Sequence, residues 1–222
     1  MHVVIFGASG MVGDGVLLEC LDDPRVASVL VVGRSSCGRT NPKLTEILHA
    51  DFYDYTAIQS RFAGLDACFF TLGTSAAGKD EATYRHITYD LTLAAARAMV
   101  SPRLTFCYVS GASTDSTERG RMMWARVKGA TENALLRMPF KAAYMLRPGV
   151  ILPLRGVRSK TPAYQFFYTV LGPVLPLLRR IAPRRITTTV AVGRAMIALA
   201  LHGYAKPILD PEDIDKAAVS AG

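Results

Sequence analysis

The chain has 222 residues, of which half are hydrophobic and a fifth are charged. This length and composition suit one large domain with a sizeable core, and they exclude a disordered, collagen-like or disulfide-scaffold protein. The formal net charge of +8 taken alone would indicate a nucleic acid, an anionic membrane or an acidic ligand as partner.

The positive charge lies mainly in the C-terminal part of the chain. Residues 1–132 carry 13 basic and 14 acidic side chains and are nearly neutral. Between Asn133 and Leu209 there is no acidic residue, and there are twelve basic ones: Arg137, Lys141, Arg147, Arg155, Arg158, Lys160, Arg179, Arg180, Arg184, Arg185, Arg194 and Lys206. The N-terminal part therefore has to be interpreted from its motifs.

The cysteines indicate the redox state of the cellular compartment in which the protein is found. The chain has four, at positions 20, 37, 68 and 107, with no CxxC pair. Cys68 and Cys107 lie in apolar runs, which predicts buried free thiols in a reducing compartment. The N-terminus has no basic region, and its apolar run is too short for a signal peptide. We therefore expect a cytoplasmic protein.

Short β-rich runs alternate with helical ones along the chain. The predicted strands are 2–6, 28–33, 44–50, 66–72, 103–110, 142–149 and 207–209. The predicted helices are 11–22, 54–62, 81–100, 119–137 and 190–201. Apolar strands that alternate with helices are buried on both faces and form a parallel sheet through right-handed crossovers. We predict a single α/β domain over 1–222, a doubly wound parallel sheet with helices on both faces and a small C-terminal helical segment.

The strongest motif is GASGMVG at residues 7–13, which follows the first strand and opens the first helix. Gly7, Gly10 and Gly13 let the backbone turn sharply and let a pyrophosphate approach without a Cβ in the way. The helix N-terminus adds unpaired N–H groups and the positive end of the helix dipole. In this context the motif predicts a dinucleotide-binding site and a Rossmann-like fold.

The end of the second strand bears on the choice between NAD and NADP. An acidic residue there would bind the ribose 2′-hydroxyl of NAD. The chain instead has Gly33-Arg34-Ser35-Ser36. An arginine pairs with a 2′-phosphate and stacks on adenine, so the sequence favours NADP(H) over NAD(H).

Seven segments together carry a resemblance to a known family: GASGMVG at 7–13, VVGR at 31–34, AD at 50–51, TLGT at 71–74, YVSGAS at 108–113, WARVKGATE at 124–132 and LRPGVI at 146–151. On these segments the sequence resembles the short-chain dehydrogenase/reductase superfamily. Within it, the likeness is to the atypical, NAD(P)-binding, epimerase-like group of about this length.

The resemblance implies a role for each matched position. The implied pyrophosphate loop is Gly7, Ser9, Gly10, Met11, Val12 and Gly13. Arg34 would contact the 2′-phosphate. The implied adenine and ribose contacts are Asp51, Phe52, Leu72, Gly73 and Thr74. The implied contacts at the nicotinamide end are Lys128, Pro148, Gly149 and Val150.

The chain departs from this family in the catalytic Tyr-x-x-x-Lys pair. Positions i and i+4 of a helix share a face, and the lysine's charge favours the phenolate of the tyrosine. Here Trp124 stands four residues before Lys128, and an indole does not exchange a proton at accessible pH. The serine that would hold the substrate oxygen is Ser110, with Ser113 as the alternative. Tyr84, Tyr89, Tyr108, Tyr144 and His86 are further candidates for the acid, but core packing explains each tyrosine better and partial exposure on a helix explains the histidine better.

The segment 155–185 follows the last motif, where such enzymes receive their substrate. It combines basic residues with aromatic ones and leaves three interpretations open. The first is a mobile lid over an apolar pocket. The second is a contact surface for a homodimer, another protein or an anionic membrane surface. The third is a core-covering helix with solvated arginines. Proline and glycine interrupt its uncharged run 161–178, which argues against a membrane-spanning helix.

The sequence therefore predicts an NADP(H)-binding oxidoreductase, reductase or epimerase-like, acting on a small apolar carbonyl compound or quinone. Ser110, Trp124 and Lys128 would form its catalytic end. The alternative is a non-catalytic NADP-binding regulator or assembly factor, which the missing tyrosine motivates. We expect no metal site and no nucleic-acid binding.

Overall fold

The computed structural model describes residues 1–157 and 186–220. Its strands are β1 (His2–Phe6), β2 (Ser28–Gly33), β3 (Leu44–Leu48), β4 (Ala67–Phe70), β5 (Thr105–Val109), β6 (Ala142–Leu146), β7 (Val150–Leu152), β8 (Ile186–Thr188) and β9 (Ile208–Leu209). Its α-helices are α1 (Met11–Asp22), α2 (Glu81–Arg85), α3 (Leu91–Met99), α4 (Met123–Leu136), α5 (Thr189–His202) and α6 (Pro211–Val219). A 3₁₀ helix spans Thr56–Phe62, and a π turn at His86–Asp90 joins α2 to α3.

Seven strands form one parallel sheet in the order β3-β2-β1-β4-β5-β6-β9. The strand order reverses between β1 and β4, which is where doubly wound folds bind ligands at the carboxyl ends of the strands. The predicted doubly wound α/β fold is therefore confirmed.

Alternate residues of β1 pack on opposite sides of the sheet. Val3 and Ile5 join a core cluster that includes residues of α1, α5 and α6. Val4 and Phe6 join a second cluster that includes residues of α3 and α4. Every residue of β1 after His2 is buried, which explains why this strand has no polar alternation. The predicted burial of the Cys68 and Cys107 thiols is confirmed.

The structure differs from the sequence prediction at several elements. The segment 81–100 is two α-helices joined by a π turn, and 54–62 holds a 3₁₀ helix. Five of the seven predicted strands extend one to three residues in total beyond the observed ones, into residues such as His49, Thr71 and Pro148 that belong to loops. The sequence prediction missed the parallel pair β7–β8 and helix α6.

The proposed lid or contact segment 155–185 lies outside the described residues from 158 onwards, and so does the apolar run 161–178. Within residues 1–157 and 186–220, no helix has both the length and the apolar character needed to cross a bilayer.

Candidate functional site

The glycine-rich loop connects β1 to α1 and packs tightly against the end of β4. Gly7 has φ +87°, and a Cβ on it would lie 2.8 Å from the backbone N of Leu72. A Cβ on Gly13 would overlap the carbonyl of Gly7. The loop therefore has two positions where only glycine fits, one for its backbone conformation and one for the close approach of α1.

Helix α1 begins with a row of backbone N–H groups that have no acceptor within the helix. Gly10 is its N-cap residue and offers no side-chain cap, while its own N–H donates to the Gly7 carbonyl at 2.9 Å. The N–H groups of Met11, Val12 and Gly13 occupy the first turn, where a helix has no internal acceptors. Ser9 is half-exposed beside them. This geometry fits an anion such as a pyrophosphate.

The loop after β2 is held by two acidic side chains, Glu46 and Asp14. Arg34 lies in this loop, directly after β2. Glu46 on β3 accepts hydrogen bonds from Ser36 Oγ and Cys37 N, both at 2.7 Å. Arg39 pairs with Asp14 in the first turn of α1. Arg34 is exposed, and no side chain among the described residues pairs with it. Its guanidinium is thus available to an anionic ligand.

The residues after β3 divide between the surface and the core. Asp51 is exposed, and its Oδ1 accepts the N–H of Tyr53 at 2.8 Å. The Phe52 ring is 5% exposed and packs edge-on against Phe6 at 6.2 Å. Its side chain therefore cannot face a ligand. Tyr53 instead stacks on His86, with the ring centroids 4.4 Å apart, at the outer edge of this region.

The segment after β4 passes directly beside the glycine-rich loop. Leu72 and Thr74 are half-buried, and Gly73 is exposed. Thr71 Oγ1 donates to the Phe6 carbonyl at 2.7 Å, which ties the ends of β1 and β4 together. The predicted ribose-contact residues thus lie next to the predicted pyrophosphate loop.

Lys128 on α4 points to the end of β5. Its Nζ donates to the Ser110 carbonyl at 2.5 Å and lies 5.9 Å from the centroid of the Tyr108 ring. Burial lowers the pKa of Lys128 to about 8, and the nearby Glu132 carboxylate opposes this shift. Lys128 is thus an ammonium that is close to its titration point at neutral pH.

Ser110 itself faces the protein interior. Its hydroxyl is buried, donates to Glu132 Oε1 at 2.5 Å and lies 3.1 Å from the Leu146 carbonyl oxygen. This arrangement favours a structural role for Ser110 over the predicted contact with a substrate oxygen. Ser113 is exposed at φ +68°, a left-handed conformation that is uncommon for serine.

The sequence analysis missed Glu132 and Arg147 as site residues. Glu132 is fully buried on α4, one turn after Lys128, and Arg147 follows β6. Arg147 Nε lies 3.1 Å from Glu132 Oε1, and Arg147 Nη2 also pairs with Glu132 Oε2. A glutamate four residues after the lysine was a usable signal, because positions i and i+4 share a helix face.

Trp124 lies one turn before Lys128 on α4. Its Cζ3 would be 3.9 Å from a Cβ on Gly111, so the indole packs over the loop after β5. The neighbouring Met122 is 50% exposed, and Val150 across the site is 38% exposed. Two exposed apolar side chains therefore lie near this end of the sheet, next to the exposed Arg119 and Arg121.

The turn after β6 is joined to the loop after β5. The Pro148 carbonyl accepts the N–H of Ala112 at 2.8 Å, as the Leu146 carbonyl accepts the N–H of Ser110. Pro148 is buried, Gly149 is half-buried and Val150 begins β7. This turn thus borders the same space as Trp124 and Lys128.

The alternative proton donors named in the sequence analysis are buried or already in contact with other groups. Tyr84 and Tyr108 are almost fully buried, and the Tyr144 hydroxyl accepts the N–H of Tyr204 at 3.0 Å. Arg85 covers the Tyr89 ring, and His86 pairs with Asp90 on the surface. Among residues 1–157 and 186–220, no cluster of three or more His, Cys, Asp or Glu is placed to hold a metal ion.

A separate cavity of about 900 Å³ lies near the C-terminal end of α1, beside α5 and α6. Glu19 lines it, and this carboxylate is already paired with Arg155 at 2.7 Å and Arg194 at 2.9 Å. Arg155 also pairs with Asp22. These arginines, which the sequence analysis assigned to the basic C-terminal part, are neutralised by α1 and do not present free charge to a substrate.

Comparison with solved structures identifies the fold. An enzyme of Bordetella bronchiseptica, WbmG, in complex with NAD has a TM-score of 0.68 and 12% identity, covering 100% of this chain and 78% of that chain. A UDP-glucose 4-epimerase of Thermotoga maritima with UDP-glucose has a TM-score of 0.65 and 12% identity over 99% of this chain and 82% of that chain. A short-chain dehydrogenase/reductase of Burkholderia thailandensis has a TM-score of 0.64 and 16% identity over 99% and 95%.

Curated relatives correct the expected location. The protein fmp52-2, mitochondrial, of Aspergillus terreus is 27% identical over 88% of this chain and 85% of its own length. The protein fmp52, mitochondrial, of Emericella nidulans is 28% identical over 78% and 77%. No family model matches the chain. The expectation of a cytoplasmic protein is contradicted by these names, since free thiols indicate a reducing compartment without saying which one.

Proposed function

Because the chain has the epimerase-like fold of the short-chain dehydrogenase/reductase superfamily, we propose that it binds NADP(H) and transfers a hydride to or from a small apolar carbonyl compound or quinone. The observation that carries this proposal is that three features suited to a dinucleotide lie at the same end of the sheet. The glycine cradle, formed by Gly7, Gly10 and Gly13, the unpaired Arg34 and the half-buried ammonium of Lys128 all lie at the carboxyl ends of β1, β2 and β5.

The residues at this edge fit a dinucleotide. The first turn of α1 would bind the pyrophosphate, because its N–H groups lack internal acceptors and glycine keeps the approach open. Leu72, Gly73 and Thr74 would border the ribose, and the exposed Asp51 the adenine. Arg34 would pair with a 2′-phosphate, which supports NADP over NAD.

At the nicotinamide end of the proposed dinucleotide site, Lys128 would donate a hydrogen bond to the nicotinamide ribose while keeping its contact with the Ser110 carbonyl. Gly149 and Val150 would border the nicotinamide. The bound cofactor would supply the hydride. Trp124 would wall the site and exclude water from one side, and the exposed apolar side chains of Met122 and Val150 support an apolar substrate.

The proton must come from a group other than the missing tyrosine. The Ser110 hydroxyl is committed to Glu132, so it is not the donor in this proposal. The exposed Ser113 hydroxyl or a water molecule would hold the substrate oxygen and pass it a proton.

The alternative function is a non-catalytic NADP-binding regulator. It is favoured by the combination of an intact glycine cradle with tryptophan at position 124. Under this alternative, cofactor binding would alter a partner contact and the protein would not turn over a substrate.

Turnover separates the two functions. We would measure NADPH oxidation with a panel of aldehydes, ketones and quinones for the natural protein and for Trp124→Tyr, with NADPH binding as the control for each. Turnover by the natural protein would support the oxidoreductase. If only Trp124→Tyr turned over, the native site would be degenerate and the regulator would be favoured. The absence of NADPH and NADH binding would contradict both functions.

A further inference from the structure

A single buried carboxylate connects the parts of the proposed catalytic end. Glu132 has no exposed surface and accepts hydrogen bonds from Ser110 after β5 and from Arg147 after β6. It lies on α4, one turn beyond Lys128. Three segments that would surround the nicotinamide therefore meet at this side chain.

We propose that Glu132, held by Arg147, is a positioning residue that places the Ser110 carbonyl for Lys128 and keeps the lysine in its ammonium form. This inference rests on the proposed function, because it assigns Glu132 to the same site. It also explains why the Ser110 hydroxyl points inward.

The Ser110 peptide is held at three points. Its N–H donates to the Leu146 carbonyl at 2.8 Å, its hydroxyl donates to Glu132 at 2.5 Å, and its carbonyl accepts from Lys128 at 2.5 Å. Because one residue makes all three bonds, loss of the Glu132 contact would leave the carbonyl that orients the lysine less firmly held.

Arg147 connects Glu132 to the turn after β6, which would border the nicotinamide. Its backbone N–H donates to the Leu209 carbonyl at 2.8 Å, and its side chain reaches both Glu132 and Ser116 Oγ. The next residue is Pro148, whose carbonyl accepts from Ala112. The ion pair thus fixes the turn relative to α4.

The charges around Lys128 explain the second part of the proposal. Glu132 on α4 favours its ammonium, while burial of the amine disfavours it. The Tyr108 ring of β5 and the Ser110 carbonyl, which follows β5, lie against the amine. Glu132 itself faces Arg147 after β6, Tyr108 on β5, Ser110 after β5 and Lys128 on its own helix.

Stability alone is a weak reason for this ion pair. Burying two charges carries a desolvation cost, and well-packed apolar residues often replace such a pair without loss of stability. A role in positioning therefore accounts better for a charged pair here.

The test compares Glu132→Gln with Glu81→Gln. Glu81 also pairs with an arginine of α4, Arg126, at 2.6 Å, but it lies on the surface and touches neither Lys128 nor Ser110. A double variant, Glu132→Gln/Arg147→Met, removes both buried charges. Each protein is measured by the NMR titration of ¹³Cε-labelled lysine, with Lys128→Arg assigning the resonance, and by NADPH binding.

We expect Glu132→Gln to lower the titration midpoint of Lys128 and to weaken NADPH binding about tenfold at neutral pH. The double variant should restore the unfolding temperature without restoring either property. Glu81→Gln should match the natural protein.

An unchanged Lys128 midpoint and NADPH affinity in Glu132→Gln would overturn the proposal. So would unfolding of both Glu132 variants, because the pair would then be part of the folding core. The lysine titration needs no cofactor. If the natural protein bound no dinucleotide but its Lys128 midpoint still depended on Glu132, only the proposed function would fail.

Discussion

The guanidinium of Arg39 holds the carboxylate of Asp14 at two points, with Nε–Oδ1 2.7 Å and Nη2–Oδ2 2.8 Å. Asp14 lies in the first turn of α1, where its charge would repel a phosphate bound at the helix N-terminus. Arg39 neutralises that charge, whereas Arg34 on the same loop makes no ion pair or side-chain hydrogen bond with the described residues. The two arginines therefore have separate roles.

The first prediction concerns cofactor choice. Arg34→Asp should weaken NADPH binding at least about tenfold more than NADH binding, because only NADPH carries the 2′-phosphate. Energy transfer from Trp124 to the reduced nicotinamide would measure both affinities, since the chain has one tryptophan.

Arg39→Gln is the matched control for this prediction. It leaves Asp14 uncompensated near the pyrophosphate and should weaken NADPH and NADH alike. Equal losses of both cofactors in Arg34→Asp would remove the 2′-phosphate assignment.

The second prediction uses the glycine cradle. A Cβ on Gly10 would meet only the Gly7 carbonyl, at 3.3 Å. Gly10→Ala should therefore fold and keep an unfolding temperature close to that of the natural protein, but it should weaken dinucleotide binding about tenfold by obstructing the anion.

Gly13→Ala tests the other side of the cradle. Its Cβ would overlap the Gly7 carbonyl, so this variant should lose stability as well as binding. Calorimetric unfolding and cofactor titration separate the two effects, and full binding by Gly10→Ala would place the pyrophosphate elsewhere.

The third prediction is a pH dependence of stability. The folded protein holds the pKa of Lys128 at about 8, below its ordinary value of 10.5. Between these two pH values the unfolded chain binds more protons than the folded one, so Lys128 makes stability rise with pH. In urea unfolding, Lys128→Met should lack this rise, and parallel curves for the two proteins would contradict it.

The fourth prediction concerns a buried hydroxyl. Tyr55 is 4% exposed, and its OH has no hydrogen-bond partner among the described residues. Because an unpaired buried hydroxyl is unfavourable, Tyr55→Phe should raise the free energy of unfolding by about 1 kcal/mol. Tyr144→Phe is the control. Its hydroxyl accepts the N–H of Tyr204, so its removal should destabilise the protein.

Local sequence was sufficient for much of the fold. The strands β1 and β2 and helix α1 have the predicted bounds, because uninterrupted apolar runs and a glycine-rich turn specify them without help from distant residues. The family resemblance, which rested on the same motifs, is confirmed at the level of the fold by structures such as WbmG. The π turn in 81–100 and the pair β7–β8 depend on packing between distant segments, so no local pattern predicted them.

The proposed catalytic end shows the limit of motif-based prediction. A serine after the fifth strand predicted a substrate contact at Ser110, yet its hydroxyl lies on Glu132. The direction of a side chain depends on which charged groups the fold buries beside it. Glu132 and Arg147 are 15 residues apart, and only the pairing of α4 with the end of β6 brings them together.

The sequence by itself determined the alternation of strands and helices, the glycine cradle and a net charge of +8. The tertiary structure decided which of those charges remain available. Of the basic residues in the acid-free stretch that the structure describes, Arg147, Arg155, Arg194 and Lys206 pair with Glu132, Glu19, Asp22 or Asp213 from other segments. Charges separated in the sequence neutralise one another only when folding brings them within a few ångströms, because water screens them at longer range.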